Sequence, residues 1–271
     1  MTILIALGGI LVGMFPTILT KAHDSVTVTN ISEVDKAIQG YMATDLSYPN
    51  YFDSILSGSN IYSRAVFSPT GSYSAQYGNQ ATYNGANVFQ VHALTGFEPS
   101  SLTSANITNL MAMKDPPSAD GATFGAYLGP PVNANTGAVN TTNVLPIATG
   151  TNVIMVTDAN YIRSVMNVPP PSTAAFGGAT PVYGTDYIYV VFGLGPYCTI
   201  VGDTGFGLVD APVSFGEHQY EQPQNAYARM LCTFRIYTSI QRRCEFVGAA
   251  HPDPTGFGSA AMHTEEFYQT Q

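Results

Sequence analysis

Five histidines, His23, His92, His218, His251 and His263, are the residues best suited to proton transfer or metal binding near neutral pH. No two of them have the H-E-x-x-H spacing of a helical zinc site. The densest polar group is His218 with Glu217 and Glu221, and Asp203 and Asp210 lie just upstream in a Gly-rich stretch. Asp203, Asp210 and Glu217 are the oxygen ligands that such a loop would offer to Ca²⁺. Calcium loops alternate Asp and Asn more closely than this, so an ordinary solvated loop is the preferred reading and no cofactor is expected. Gly193-Leu194-Gly195 supplies two glycines of a dinucleotide fingerprint, but Cys198 stands at the third and Pro196 follows in place of a helix. A strand that ends in a tight Gly-Pro turn explains it better. No G-x-S-x-G elbow occurs and no acid, base and nucleophile converge, so no enzyme is expected.

Three cysteines, Cys198, Cys232 and Cys244, are too few for a disulfide scaffold and lack C-x-x-C spacing. Cys232 and Cys244 fall on the two arms of an expected hairpin, which makes them the candidate pair for a disulfide in an oxidising compartment; the odd third cysteine weighs against it. Asparagine sequons at Asn30, Asn106 and Asn140 permit glycosylation without requiring it.

The elements that would carry these residues belong to a chain with few charges. Of 271 residues, only 10% are Asp, Glu, Lys or Arg, and the formal net charge is −9. An ordinary soluble domain has about 25% charged residues. Asn, Ser, Thr, Gly and Tyr must cover the surface instead, a composition suited to exposed β-structure. Nucleic acid is excluded as a partner, because counterion release needs clustered Lys and Arg and the only close basic pair is Arg242-Arg243. That pair reads as solvated hairpin charge.

Met1 to Thr20 contains no charged residue, and a run of roughly 20 apolar residues is long enough to cross a bilayer core. It has no basic n-region and no A-x-A-like exit, so it reads as retained rather than cleaved. Pro16 lies inside it and predicts a kink near Gly13 to Pro16. Beyond Lys21 the pattern stays helical. Ile31, Val34, Ile38, Tyr41 and Met42 form one apolar stripe, with Glu33, Asp35, Lys36 and Gln39 on the other face. Gly40, Asp45, Ser47 and Pro49 then end the helix. In the following YPNYFDSIL, the spacing of Phe52, Ile55 and Leu56 predicts a short helical turn.

The stretch ILIALGGILVGMFPTI, with its internal proline, resembles the hydrophobic helix of type IV pilins and type II secretion pseudopilins. The Tyr48-Pro49 step and Asp53-Ser54-Ile55-Leu56 resemble the point where the first helix of that family ends. The resemblance covers about the first 60 residues. The family's Gly followed by Phe-Thr-Leu-x-Glu is absent, and the first acid is Asp24. On this resemblance the assembly helix comprises Ile3, Leu4, Ile5, Leu7, Ile10, Leu11, Met14, Phe15, Pro16, Ile18 and Leu19. It would be held in the inner membrane before assembly and bundled with other copies in the finished filament.

After Gly58, short β-branched and aromatic runs alternate with Gly, Pro, Asn and Ser clusters. Strands are expected at Asn87 to His92, Asn152 to Thr157, Tyr187 to Phe192, Cys198 to Val201, Ala228 to Tyr237 and Cys244 to Val247. Met230 to Val247 reads as a hairpin turning near Ser239 to Gln241. A helix is expected between Leu102 and Met113, and an exposed excursion from Gly129 to Gly150.

The fold class expected from all this is α+β: a long, pilin-like N-terminal α-helix followed by a β-rich globular head with an antiparallel sheet and long loops. Residues 1–57 would form the helix and following turn, and residues 58–271 the extracellular head. The expected function is that of a structural homo-oligomer, a helical filament at the cell surface. The alternative is a membrane-anchored adhesin whose Tyr- and Asn-rich loops contact surface glycans or cells.

Overall fold

The computed structural model describes residues 25–62, 65, 89–114, 127–157, 161–162, 165, 186–202, 205, 207–213, 226–238 and 242–251. The run of residues 3–19 assigned to assembly lies outside them.

Helix α1 occupies residues 25–45. Its stripe forms because Ile31, Val34 and Ile38 fall on one face, and all three are fully buried against the sheet. Leu46 ends it in the left-handed region (φ 54°), with its N–H returning to the Met42 carbonyl at 3.0 Å.

The other described residues include nine strands in one mixed sheet: β1 (Phe52–Ser57), β2 (Asn60–Ile61), β3 (Phe89–Ala93), β4 (Asn109–Met113), β5 (Val144–Pro146), β6 (Asn152–Val156), β7 (Tyr187–Gly193), β8 (Leu231–Tyr237) and β9 (Cys244–Ala250). A short helix, α2 (Glu98–Ser104), precedes β4. The strands run β3-β6-β7-β1-β4-β5, with β2 on β1 and with β8 and β9 continuing from β7. β1 and β4 are parallel, Phe52 opposite Leu110 and Asp53 opposite Met111; the other named pairs are antiparallel.

Both faces of the sheet are covered, so its central strands are apolar on both sides. Along β7, Ile188, Val190 and Phe192 face the cluster that receives α1 and α2. Tyr189 and Val191 face a second cluster built from Tyr62, Phe89, Tyr161 and Tyr227. Phe234 of β8 joins the first cluster tightly, its ring centroid 5.3 Å from Tyr48 and 5.4 Å from Phe52.

This architecture corrects the expected fold class. The described molecule is mostly β-sheet with two short helices, and not a long pilin-like helix carrying a head. α1 stops at residue 45, and its stripe is a wall of the core. The sheet is also mixed, not antiparallel throughout.

The residues Phe52 to Leu56 are strand β1, not a helical turn, and the physical reason is a bulge. Tyr51 and Ile55 both have positive φ (62° and 54°), and the register to β4 shifts between Asp53 and Ser57. The added residue breaks strand alternation, so the apolar positions fall three and four apart. The expected helix between Leu102 and Met113 is instead the end of α2 followed by β4. Of Cys198 to Val201, residues 198–200 form turns and bends and Val201 makes only an isolated bridge to Leu208. The excursion from Gly129 contains an exposed stretch over residues 133–139, but it ends in β5, where Val144 is buried.

Candidate functional site

The most concentrated polar chemistry among the described residues is inside the protein. Asp53, the second residue of β1, is fully buried. Its Oδ2 accepts the Tyr227 hydroxyl at 2.6 Å and the Tyr127 hydroxyl at 2.7 Å, while its Oδ1 has no hydrogen-bond partner. Burial pushes the Asp53 carboxyl up to about 6; the two hydroxyls and the charge of Arg229 hold it below where burial alone would take it. Burial, followed by the nearby Asp53 charge, drives Tyr227 and Tyr127 well above the usual phenol range, so both stay neutral donors. Arg229 is itself buried and donates through Nη1 to the Ala211 carbonyl.

Two glycines make room for this network. A Cβ on Gly195 would lie 2.1 Å from Asp53 Oδ1, and one on Gly193 would lie 1.8 Å from the Tyr227 hydroxyl. The G-L-G triplet is therefore a cradle for a buried carboxylate and a phenol. The Gly195–Pro196 turn is present as expected, closed by the Cys198 N–H on the Gly195 carbonyl. The network joins β1, the end of β7, residue 127 and the approach to β8. Asp53 and Tyr227 are fully buried and Tyr127 half-buried, and their hydrogen bonds staple these segments together. Sequence reasoning missed it; the signal was an acid embedded in the apolar F-D-S-I-L run.

A second, half-buried carboxylate fixes α1. Asp35 Oδ1 accepts the Ala249 N–H of β9 at 2.7 Å, and the Tyr48 hydroxyl oxygen accepts the Phe246 N–H at 2.9 Å. β9 pairs only with β8 among the described residues, so these side chains serve N–H groups on its open edge. Burial raises Asp35 to about 6, partly offset by the Ala249 N–H.

The remaining sequence candidates do not assemble into a site. His92 Nε2 pairs with Glu98 Oε2 at 2.9 Å, and the Thr95 N–H donates to the same oxygen at 2.7 Å. Burial alone would raise Glu98, but these bonds outweigh it and its pKa falls. The Glu98 carboxylate thus ties the first residue of α2 to Thr95 in the preceding loop and to His92 on β3. His251 is buried, while His23, His218 and His263 lie outside the described residues.

Of the Ca²⁺ candidates, Asp210 is exposed with Oδ1 on the Ala211 N–H, and Asp203 and Glu217 lie outside the described residues. Among the described residues no cluster of three metal-ligating side chains occurs.

The expected Cys232–Cys244 disulfide is overturned. All three cysteines are free and buried. Cys244 lies opposite Ile236 and Cys232 opposite Ala249, so the two are separated by roughly 13 Å along the strands. A disulfide needs Cα atoms within about 7 Å.

One surface corner gathers aromatic and basic side chains. Arg235 lies between the Tyr187 and Tyr237 rings, 5.8 Å and 5.7 Å from their centroids, and Arg243 lies 5.8 Å from the Tyr237 centroid. Both arginines pair with Glu245, and Arg242 beside them is exposed.

Among the described residues no helix is long and apolar enough to cross a membrane. Comparison with family models, curated proteins and solved structures gives no match for this chain.

Proposed function

We propose that this protein is a structural, non-catalytic subunit that assembles with copies of itself into an extracellular filament through the uncharged run of residues 1–20, which the inner membrane holds before assembly. The observation that carries the reading is the join between that run and α1. Only residues 21–24 separate them, and the apolar stripe of α1, Ile31, Val34 and Ile38, is already buried on the sheet. The outer face of α1 exposes Glu33, Lys36 and Gln39. Val26, at its start, is the large apolar side chain that α1 leaves exposed, and one valine is too little surface to shelter the run.

A helix of 20 such residues would be about 30 Å long. Apolar all round, it is stable in lipid or among other helices. Exchange between those two environments moves apolar surface from one dry setting to another, so assembly needs little further driving force. The buried Asp53 and the half-buried Asp35 support a structural role as well, since they are committed to stapling and edge protection.

The test places a charge in the run of the full chain. Leu7→Lys and Leu11→Lys should abolish fibres seen by negative-stain electron microscopy while leaving the thermal transition of the sheet in place. Fibres that form normally in both variants refute the proposal.

A further inference from the structure

We infer that the body carries both halves of a head-to-tail contact with a second copy of itself: the Val209-Asp210 tip at one pole of the sheet and the Arg242-Arg243 corner, with Tyr187 and Tyr237, at the other. The inference rests on the filament reading and specifies how neighbouring bodies align.

The two surfaces are placed by strand register. β7 begins at Tyr187, opposite Tyr237 where β8 ends, and finishes at Gly193, opposite Leu231 where β8 begins. β9 starts beside the end of β8, with Cys244 opposite Ile236, so Arg242 and Arg243 stand at the pole where β7 begins. The tip stands at the pole where β7 ends. Val213 bridges Arg229, the Ala211 carbonyl accepts from Arg229, and the Leu194 N–H meets the Met230 carbonyl. Seven residues of strand separate the poles, about 20 Å.

The tip has the form of a plug. Leu208 before it packs on the core and Ala211 after it is buried, yet Val209 is 98% exposed, the most exposed large apolar side chain among the described residues. Asp210 beside it is exposed and acidic.

The opposite corner has the complementary character. Arg235, Arg242 and Arg243 are three of only nine basic residues in a chain of net charge −9. Glu245 occupies Arg235 and Arg243, and Arg242 stands exposed beside them. Tyr and Arg side chains are the usual anchors of protein interfaces. A partner that brings one apolar side chain with a carboxylate fits this corner, and the tip of another copy brings both. Because the surfaces differ and lie at opposite ends, the contact is heterologous and propagates into a row rather than closing as a dimer. It is too small to hold two bodies together alone. Its role is to set their alignment once the apolar runs have brought them together, with charge complementarity selecting the register.

The experiment uses the full chain. Asp210→Arg and Arg242→Asp should each raise the concentration needed for fibre formation several-fold, and the double charge swap should restore it. Val209→Cys with Arg242→Cys should give a ladder of dimers, trimers and longer species under mild oxidant, because the three native cysteines are buried. Fibres indifferent to both single charge changes, a double swap worse than either single change, or no ladder would overturn the contact. Loss of acidic-glycan binding in Arg242→Asp with unchanged fibres would also overturn it, and would assign the corner to a glycan. If Leu7→Lys abolishes fibres while the pole variants do not alter them, the filament reading stands and this contact falls. A wild-type chain that stays monomeric at every concentration removes both.

Discussion

At the scale of single residues, the fold is most demanding around Asp53, where a carboxylate, two phenols and two glycines must occupy one volume. A methyl group at Gly195 would sit 2.1 Å from Asp53 Oδ1, and neither strand can retreat, because β1 and β7 are paired at this point, Asp53 opposite Gly193. Gly195→Ala should therefore destabilise the protein by at least ~2 kcal/mol, the upper range for overpacking a tight interior. Urea unfolding of Gly195→Ala, Asp53→Ala and the double variant checks this. The double variant should lose less than the sum of the singles, because the shortened side chain vacates the space that the methyl needs. These residues were partly legible in the sequence. The G-L-G-P run announced a turn, and it forms one. Its partners come from residues 53, 127 and 227, and no short-range pattern links positions so far apart.

At the scale of elements, periodicity read well where local geometry was regular. Ile31, Val34 and Ile38 predicted the buried stripe of α1, and the Met230 to Val247 alternation predicted the β8–β9 pairing. It failed where geometry was irregular. The bulge at Ile55 turned a strand into apparent helical spacing, and the three-residue β5 is too short to show alternation. Helix α1 also ends on an unfavourable residue, since Leu46 is in the left-handed region and 82% exposed. Leu46→Gly should stabilise the protein by ~0.5–1 kcal/mol: removing the Cβ relieves the left-handed penalty, and the extra freedom that glycine gives the unfolded chain takes back part of it. A rise in the thermal midpoint is the expected readout, and a fall would mean that the leucine makes contacts worth more than its strain.

For the molecule as a whole, acidity sets the stability profile. Asp35 and Asp53 are both raised from 3.8 to about 6 in the folded state. A raised carboxyl binds its proton more tightly when folded, so stability increases as pH falls from above 6 toward 4, by ~2–3 kcal/mol for each group. Glu98 acts in the opposite sense. Its pKa is lowered from 4.5, so its contribution is present above pH 4.5 and is lost below it. Maximum stability should therefore lie near pH 4 to 4.5, where the two aspartates have taken up their protons and the loss from Glu98 begins. Thermal melts from pH 4 to 8 check the profile, and Asp35→Asn with Asp53→Asn should flatten its neutral side. A melting temperature that rises steadily from pH 5 to 8 in the wild type would contradict the assignment.

The helix that flanks β9 stands where another strand would otherwise lie. Asp35 and Tyr48 satisfy the Ala249 and Phe246 amides that a neighbouring strand would take. Lifting the helix away would leave the Ala249 amide unmet on an edge that no other described strand covers, a template on which a foreign chain could add a strand. Any treatment that loosens this helix before the sheet melts should therefore convert isolated molecules into disordered β-aggregates well below the temperature of global unfolding.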